Sequence, residues 1–81
     1  MTREDILKAV NEVFHDVFDD DSIVVTDATV ADDIEDWDSL EHINLIAAME
    51  ERFGLRFTMG EVTGMKNVGE MVTIIQERGT L

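Results

Sequence analysis

Apolar residues recur at helical spacing in three stretches of the chain, and each stretch predicts an amphipathic helix. The first stretch follows Thr2, and its apolar positions are Ile6, Leu7, Val10, Phe14, Val17 and Phe18. The second runs from Asp38 to Gly54. The last ends near Gly79, and its inward positions are Val68, Met71, Val72 and Ile75.

Capping residues indicate where the predicted helices begin and end. Asp38, with Glu41 three residues later, suits the start of the second helix, and Gly54 suits its end. Thr58 and Glu61 repeat the same spacing and predict a short third helix between the second and last ones. The pattern therefore predicts an all-α fold, a small four-helix bundle of three main helices and a short third helix, in one domain over residues 1–81.

Residues 19–37, between the first two helices, show no helical period. The run Ile23-Val24-Val25-Thr26 would suit a short strand, but no second strand pattern exists to pair with it. We therefore predict a long ordered loop whose apolar side chains, together with Val30 and Ile34, pack under the helices. A loop of this length in a small domain is usually functional or disordered, and its scattered apolar residues favour order.

The second helix has two apolar stripes when its residues are placed about 100° apart. The stripe predicted to face the core comprises Leu45, Ile46, Met49 and Phe53. The other stripe, rotated by roughly a quarter-turn or more, comprises Leu40, Ile43 and Ala47. A bundle helix needs one buried stripe, so the second stripe is either an extra packing face or a docking face. Ser39 is expected to be exposed beside it.

Charge and composition narrow the possible partners. The net charge is −13, and fourteen acidic residues lie between Lys8 and Arg52. Nucleic acid and anionic membranes bind basic surfaces, so neither is expected as a partner, whereas basic protein patches are favoured. No cysteine, no apolar run of membrane-spanning length and no signal peptide is found, so we expect a soluble, cytoplasmic monomer without a metal site. Weak cation binding by the loop acids Asp32, Asp33, Glu35 and Asp36 stays open beside a simple solvated loop.

Asp38-Ser39-Leu40 resembles the Asp-Ser-Leu attachment motif of acyl carrier proteins, which lies at the start of the second of four helices. The resemblance extends to the acidic composition, the long first loop, the Phe53-Gly54 helix end and the short third helix. It implies that a phosphopantetheinyl transferase attaches 4′-phosphopantetheine to the Ser39 hydroxyl, and that acyl groups are carried on the terminal thiol as thioesters. A helix N-terminus independently favours such a phosphodiester, because its free N–H groups and dipole attract anions.

The same resemblance implies that the second helix is the surface that partner enzymes recognise. These partners are expected to be enzymes that transfer, condense or ligate acyl groups and that bind the carrier through basic docking patches. The residues expected to meet them are Asp38, Leu40, Glu41, Ile43, Ala47, Glu50 and Glu51. A bound acyl chain, if the helices part to admit it, is expected in the interior among Phe14, Val17, Ile46, Met49, Phe53, Met71 and Ile75. Ordinary core packing explains those interior residues equally well.

Several positions depart from the pattern of fatty-acid-synthesis carriers, namely Trp37, Asn44, Arg56, Thr58 and Gly60. The expected function is therefore an acyl carrier for fatty acid, polyketide or specialised lipid biosynthesis, with the cargo and pathway open. Peptidyl and D-alanyl carriers share the fold and the serine. An acidic helical adaptor without a prosthetic group is the alternative outside the family. No enzymatic activity is expected: a hydrolase built on Ser39 and His42 lacks a nucleophile elbow, and His42 is predicted to be a partly buried packing residue.

Overall fold

A computed structural model describes residues 2–80, and these residues are helical with no strand. Helix α1 spans Arg3–Phe18, α2 Ser39–Phe53, α3 Met59–Gly64 and α4 Val68–Arg78, and a 3₁₀ turn at Ala31–Asp33 interrupts the loop between α1 and α2. Helix α1 packs against both α2 and α4. The predicted four-helix bundle with a short third helix is confirmed. None of the helices within residues 2–80 has the length and apolarity needed to cross a membrane.

The predicted capping residues lie at the beginnings and ends of the helices, as the sequence pattern indicated. A side-chain oxygen of Asp38 accepts a hydrogen bond from the Glu41 backbone N–H at 2.8 Å, so Asp38 is the N-cap of α2. Thr58 and Glu61 form a reciprocal capping box at the start of α3. Gly54 ends α2 with φ of 63°, a left-handed conformation that glycine adopts without steric cost.

The core is built from the predicted inward stripes. The four inward positions of α4 are fully buried, and those of α2 are at most 6% exposed. Ala9 and Val13 of α1 add to this core although their smaller side chains were not singled out by the sequence pattern. The second stripe of α2 stays outside, because Leu40 and Ile43 are 65% and 63% exposed. The prediction of two distinct faces on α2 is therefore confirmed.

The long loop is ordered and lies against α1, as predicted. The Asn11 side chain accepts a hydrogen bond from the Val25 backbone N–H at 2.7 Å and donates to the Val25 carbonyl at 3.2 Å. Val25 is 1% exposed, and Ile34 packs against the core from further along the loop. The expectation that all the apolar loop side chains pack inward was wrong for Val24, which is 78% exposed. Val24 and Val25 are adjacent residues of the same type outside any helix, and it is Val25 whose backbone Asn11 holds against α1.

Backbone hydrogen bonds attach the same loop to the start of α4. The N–H groups of Val68 and Gly69 donate to the carbonyls of Thr29 and Asp27, each at 2.9 Å. A Cβ on residue 69 would lie 2.8 Å from the Asp27 carbonyl oxygen, so this approach requires glycine. The Arg3 guanidinium adds hydrogen bonds to Asp27 and to the Gly69 carbonyl. The loop thus has a single defined course that brings Trp37 and Asp38 to the top of α2.

Candidate functional site

Ser39 is the first residue of α2, directly after the N-cap Asp38. Its side chain is exposed. The Asp38 carboxylate is engaged by the Glu41 N–H, which leaves the serine hydroxyl at the positive end of the helix dipole. An anion attached to this hydroxyl would meet the free N–H groups of the first helical turn.

A half-open groove of about 870 Å³ begins at Ser39 and runs along α2 to Glu50. Glu50 is eleven positions after Ser39, which corresponds to roughly 17 Å of helix. Helix α3 and the segments beside it form the opposite wall. Most of the lining is apolar and comprises Trp37, Ile43, Ile46, Ala47, Phe57, Met59, Val62 and Met65. The site therefore joins an accessible hydroxyl to an elongated apolar space.

Two polar contacts hold the α3 segment against α2. The Nε2 atom of His42 lies 3.0 Å from the Val62 carbonyl oxygen, in the first turns of α2. The Phe57 backbone N–H donates to Oε2 of Glu50 at 2.8 Å, near the other end of α2. Since residue 57 meets the later part of α2 and residue 62 the earlier part, this segment runs antiparallel to α2. The groove consequently has one end at Ser39 and the other at Glu50 and Phe57.

His42 also connects this wall to the residue before the capping aspartate. The indole Nε1–H of Trp37 donates to Nδ1 of His42 at 3.1 Å. Because Nδ1 accepts, Nε2 carries the proton and donates it to the Val62 carbonyl, which assigns the neutral Nε2–H tautomer. The Trp37 ring meets the Phe14 ring edge-on, with centroids 5.2 Å apart. A single chain of contacts thus links the core, the groove entrance and α3.

His42 is half-buried, as predicted, but neither of its hydrogen bonds was predicted from the sequence. A signal was available, because a tryptophan packed among apolar residues usually finds an acceptor for its N–H. The partner lies five residues away across the start of a helix, where helical periodicity does not apply. The interaction between Glu50 and Phe57 was missed for the same reason, since it crosses from a helix to a loop.

The open space lies beside the core and not within it. Of the seven interior residues expected to surround an acyl chain, only Ile46 lines the groove. Five of the others, Phe14, Met49, Phe53, Met71 and Ile75, are fully buried and belong to one continuous packed cluster. Interiors of this kind are close-packed and leave little room for a guest. Helix α3, which the sequence pattern marked only as a short helix, forms the wall of the groove opposite α2.

The residues predicted to recognise partners fall into two groups. Asp38, Ile43, Ala47 and Glu50 line the groove together with Ser39. The others, Leu40, Glu41 and Glu51, lie on α2 outside the groove lining. Three carboxylates have neighbours inside the fold: Asp38 accepts the Glu41 N–H, Glu50 accepts the Phe57 N–H, and Glu41 accepts from the Asn44 amide at 3.3 Å. The apolar members Leu40, Ile43 and Ala47 are exposed.

The perturbed carboxylates lie away from the groove. A hydrogen bond from the Thr58 backbone N–H, aided by the Arg78 side chain, lowers the pKa of Glu61. Hydrogen bonds from the Ser22 side chain and backbone lower the pKa of Asp20. Within residues 2–80, no group of three or more His, Cys, Asp or Glu side chains is arranged to hold a metal ion. The chemistry available at the site is that of the serine hydroxyl and the apolar groove.

Comparison with known proteins identifies the family. The model of the phosphopantetheine attachment site matches residues 4–75. The acyl carrier protein of Rubrobacter xylanophilus is 35% identical over 81 residues, which cover 99% of each chain. This chain belongs to the acyl carrier protein family. It is also similar to the meromycolate extension acyl carrier protein of Mycobacterium leprae, with 27% identity over 95% of this chain and 67% of the relative.

A solved structure of a carrier has the same fold. The solution NMR structure of a holo acyl carrier protein from Geobacter metallireducens has a TM-score of 0.84 and 44% sequence identity. The match covers 89% of this chain and 83% of that one. The predicted all-α bundle and the predicted family are thus both confirmed.

The prosthetic group of this carrier is 4′-phosphopantetheine. When bound, it supplies a thiol that carries acyl groups as thioesters, a group that this cysteine-free chain lacks. The site geometry fits it: an exposed hydroxyl stands at a helix N-terminus suited to a phosphodiester, and an apolar groove adjoins it. The family is a carrier family and not a catalytic one, and its members work with a transferase and with biosynthetic enzymes.

Proposed function

We propose that Ser39 is the attachment residue and that the whole chain, residues 1–81, is one carrier domain acting in the cytoplasm. The observation that carries this proposal is the exposed Ser39 hydroxyl at the first position of α2, within the stretch that matches the family. In attachment, the Ser39 oxygen bonds to the phosphorus of coenzyme A that bears the pantetheine arm, and the pyrophosphate bond from that phosphorus breaks. The leaving group is 3′,5′-ADP, and the hydroxyl proton passes to the transferase or solvent. Asp38 shapes the helix start, and Leu40 offers the transferase an exposed apolar contact. The chain itself performs no catalysis.

The attachment is tested with a matched pair of serine variants. The chain has two serines, Ser22 in the long loop and Ser39. After incubation with coenzyme A, Mg²⁺ and a broad-specificity phosphopantetheinyl transferase, the wild-type protein and Ser22→Ala should each gain one phosphopantetheine by intact mass. Ser39→Ala should gain none. Modification of Ser39→Ala would contradict the assignment, and an unmodified wild-type protein would favour an adaptor without a prosthetic group.

The groove supports an aliphatic acyl cargo over an aminoacyl one. Its lining is mostly apolar, and each methylene group transferred from water to such a surface gains about 0.8 kcal/mol. The ammonium group of an alanyl or peptidyl cargo would lose hydration against this apolar lining, and the two carboxylates that line the groove, Asp38 and Glu50, each accept a backbone N–H. We therefore place the carrier in fatty acid, polyketide or specialised lipid biosynthesis. Thermal unfolding tests this choice: an octanoyl form should melt above the holo form, and a D-alanyl form should not.

Partner enzymes are proposed to dock on α2. Support comes from the exposure of Leu40, Ile43 and Ala47 beside the attachment serine and from the acidic residues among them. An apolar centre with a charged rim is the usual anatomy of a transient interface. Asp38, Glu41, Glu50 and Glu51 would face basic patches on enzymes that transfer, condense or ligate acyl groups. Such charges mainly set the association rate and partner choice.

A further inference from the structure

Glu50 has a partner within the fold that its position on the acidic face of α2 does not suggest. Its side chain is half-buried, and Oε2 accepts the Phe57 backbone N–H at 2.8 Å. A hydrogen bond to an ionised carboxylate is stronger than one between neutral groups. The interaction ties the start of the segment that leads into α3 to the last turns of α2.

The position of this contact matters because it lies at one end of the groove. The contact between His42 and Val62 lies near Ser39, whereas that between Glu50 and Phe57 lies eight residues further along α2, or about 12 Å. Phe57 lines the groove at this far end. An acyl chain that enters beside Ser39 therefore advances towards the Phe57 ring, whose backbone N–H is bound by Glu50.

We propose that Glu50 is a specificity-determining residue: by fixing Phe57 across the far end of the groove, it limits the length of acyl chain that the carrier shelters. This inference rests on the proposed acyl cargo and adds a cause for its length. Methylene groups up to the Phe57 ring leave water, and those beyond it remain exposed. Chain length is thus set by a side chain to backbone hydrogen bond between α2 and the loop after it, and not by the volume of the core.

The test uses carriers loaded by the transferase from a series of saturated acyl-coenzyme A thioesters, butyryl to palmitoyl in two-carbon steps. The two readouts are the melting temperature relative to the holo form and the rate of thioester cleavage by hydroxylamine. In the wild-type protein, the melting temperature should rise with chain length to a maximum and then level off. Glu50→Ala should move this maximum to longer chains by at least one two-carbon step. Cleavage of the longest thioesters by hydroxylamine should slow several-fold in this variant, because each further buried methylene adds hydrophobic stabilisation.

Three further variants make the test specific. Glu50→Gln retains an oxygen that accepts the Phe57 N–H and should keep the wild-type maximum. Glu77→Ala removes an exposed carboxylate of α4 that does not line the groove, and should also keep it. Phe57→Leu shortens the far wall without altering Glu50, and should move the maximum as Glu50→Ala does, so the inference stays testable if Glu50→Ala folds poorly.

An unchanged maximum in Glu50→Ala or in Phe57→Leu would overturn the inference. A shift in Glu50→Gln or Glu77→Ala as large as that in Glu50→Ala would overturn it too, because charge and not the hydrogen bond would then be responsible. A wild-type melting temperature that does not depend on chain length would show that the groove holds no chain. Intact mass of the same samples reports attachment at Ser39 separately, so failure of the carrier assignment is distinguishable from failure of this inference.

Discussion

Replacement of His42 by phenylalanine tests how far one side chain holds α3 on the bundle. The substitution keeps a ring of similar size but removes the acceptor for the Trp37 N–H and the donor to the Val62 carbonyl. Both lost partners are left without a protein hydrogen bond at the groove entrance. Because the ring is retained, a fall in stability reports the two hydrogen bonds and not a new cavity.

The expected loss follows from the two hydrogen bonds. Each contributes about 0.5–1.5 kcal/mol net, so together they account for roughly 1–3 kcal/mol. An unfolding entropy of about 2.1 cal/mol/K per residue amounts to roughly 170 cal/mol/K for a chain of 81 residues. Division gives about 6 °C per kcal/mol, and therefore a melting temperature lowered by about 6–18 °C.

Circular dichroism of the thermal transition measures this loss in His42→Phe, in Trp37→Phe and in the double variant. The double variant should melt higher than the sum of the two single losses predicts, because both remove the same Trp37 to His42 hydrogen bond. A His42→Phe protein that melts within about 2 °C of the wild type would refute the reasoning, since it would mean that water replaces both partners at no cost. Strict additivity of the two single losses would show that Trp37 and His42 are not coupled.

Three further outcomes are expected. Ile43→Lys should melt within a few degrees of the wild type, because exposed positions contribute little to stability. Its rate of acyl transfer with partner enzymes should fall, and a large loss of stability would instead place Ile43 in the core. Added salt should raise the melting temperature and slow association with a basic partner as the Debye length falls from about 30 Å to 10 Å, because 19 acidic residues face 6 basic ones; rates and melting temperatures that do not respond to salt would contradict this. Hydrogen bonds from the Thr58 N–H and then from Arg78 lower the pKa of Glu61. The stabilising contribution of the Glu61 carboxylate is therefore complete above the ordinary pKa of 4.5 and is lost as pH falls through the lower pKa of the folded state. The melting temperature of Glu61→Gln should accordingly lie below that of the wild type near neutral pH and approach it in acid, and a difference that stays constant in acid would argue against the ion pair.

Local sequence was sufficient for the helices, their ends and the two faces of α2. Asp38 and Gly54 lie at the two ends of α2, as predicted, because capping depends on atoms within three or four residues of one another. The separation of Leu45 and Ile46 from Leu40 follows in the same way, since the helical period alone decides which residues share a face. The exposed Ser39 at the start of α2 was predictable on these grounds, and with it most of the candidate site.

The groove itself came from the tertiary structure. Phe57 and Glu50, and likewise Val62 and His42, are brought together by the course of the loop between α2 and α3, which no local period encodes. Packing also decides which loop residues are buried: Val24 and Val25 have the same side chain, and only the packing against α1 determines that Val25 faces inward. A hydrogen-bonding side chain at a half-buried position bonds to a group that the fold brings within about 3 Å. These contacts therefore exist only once the helices have packed.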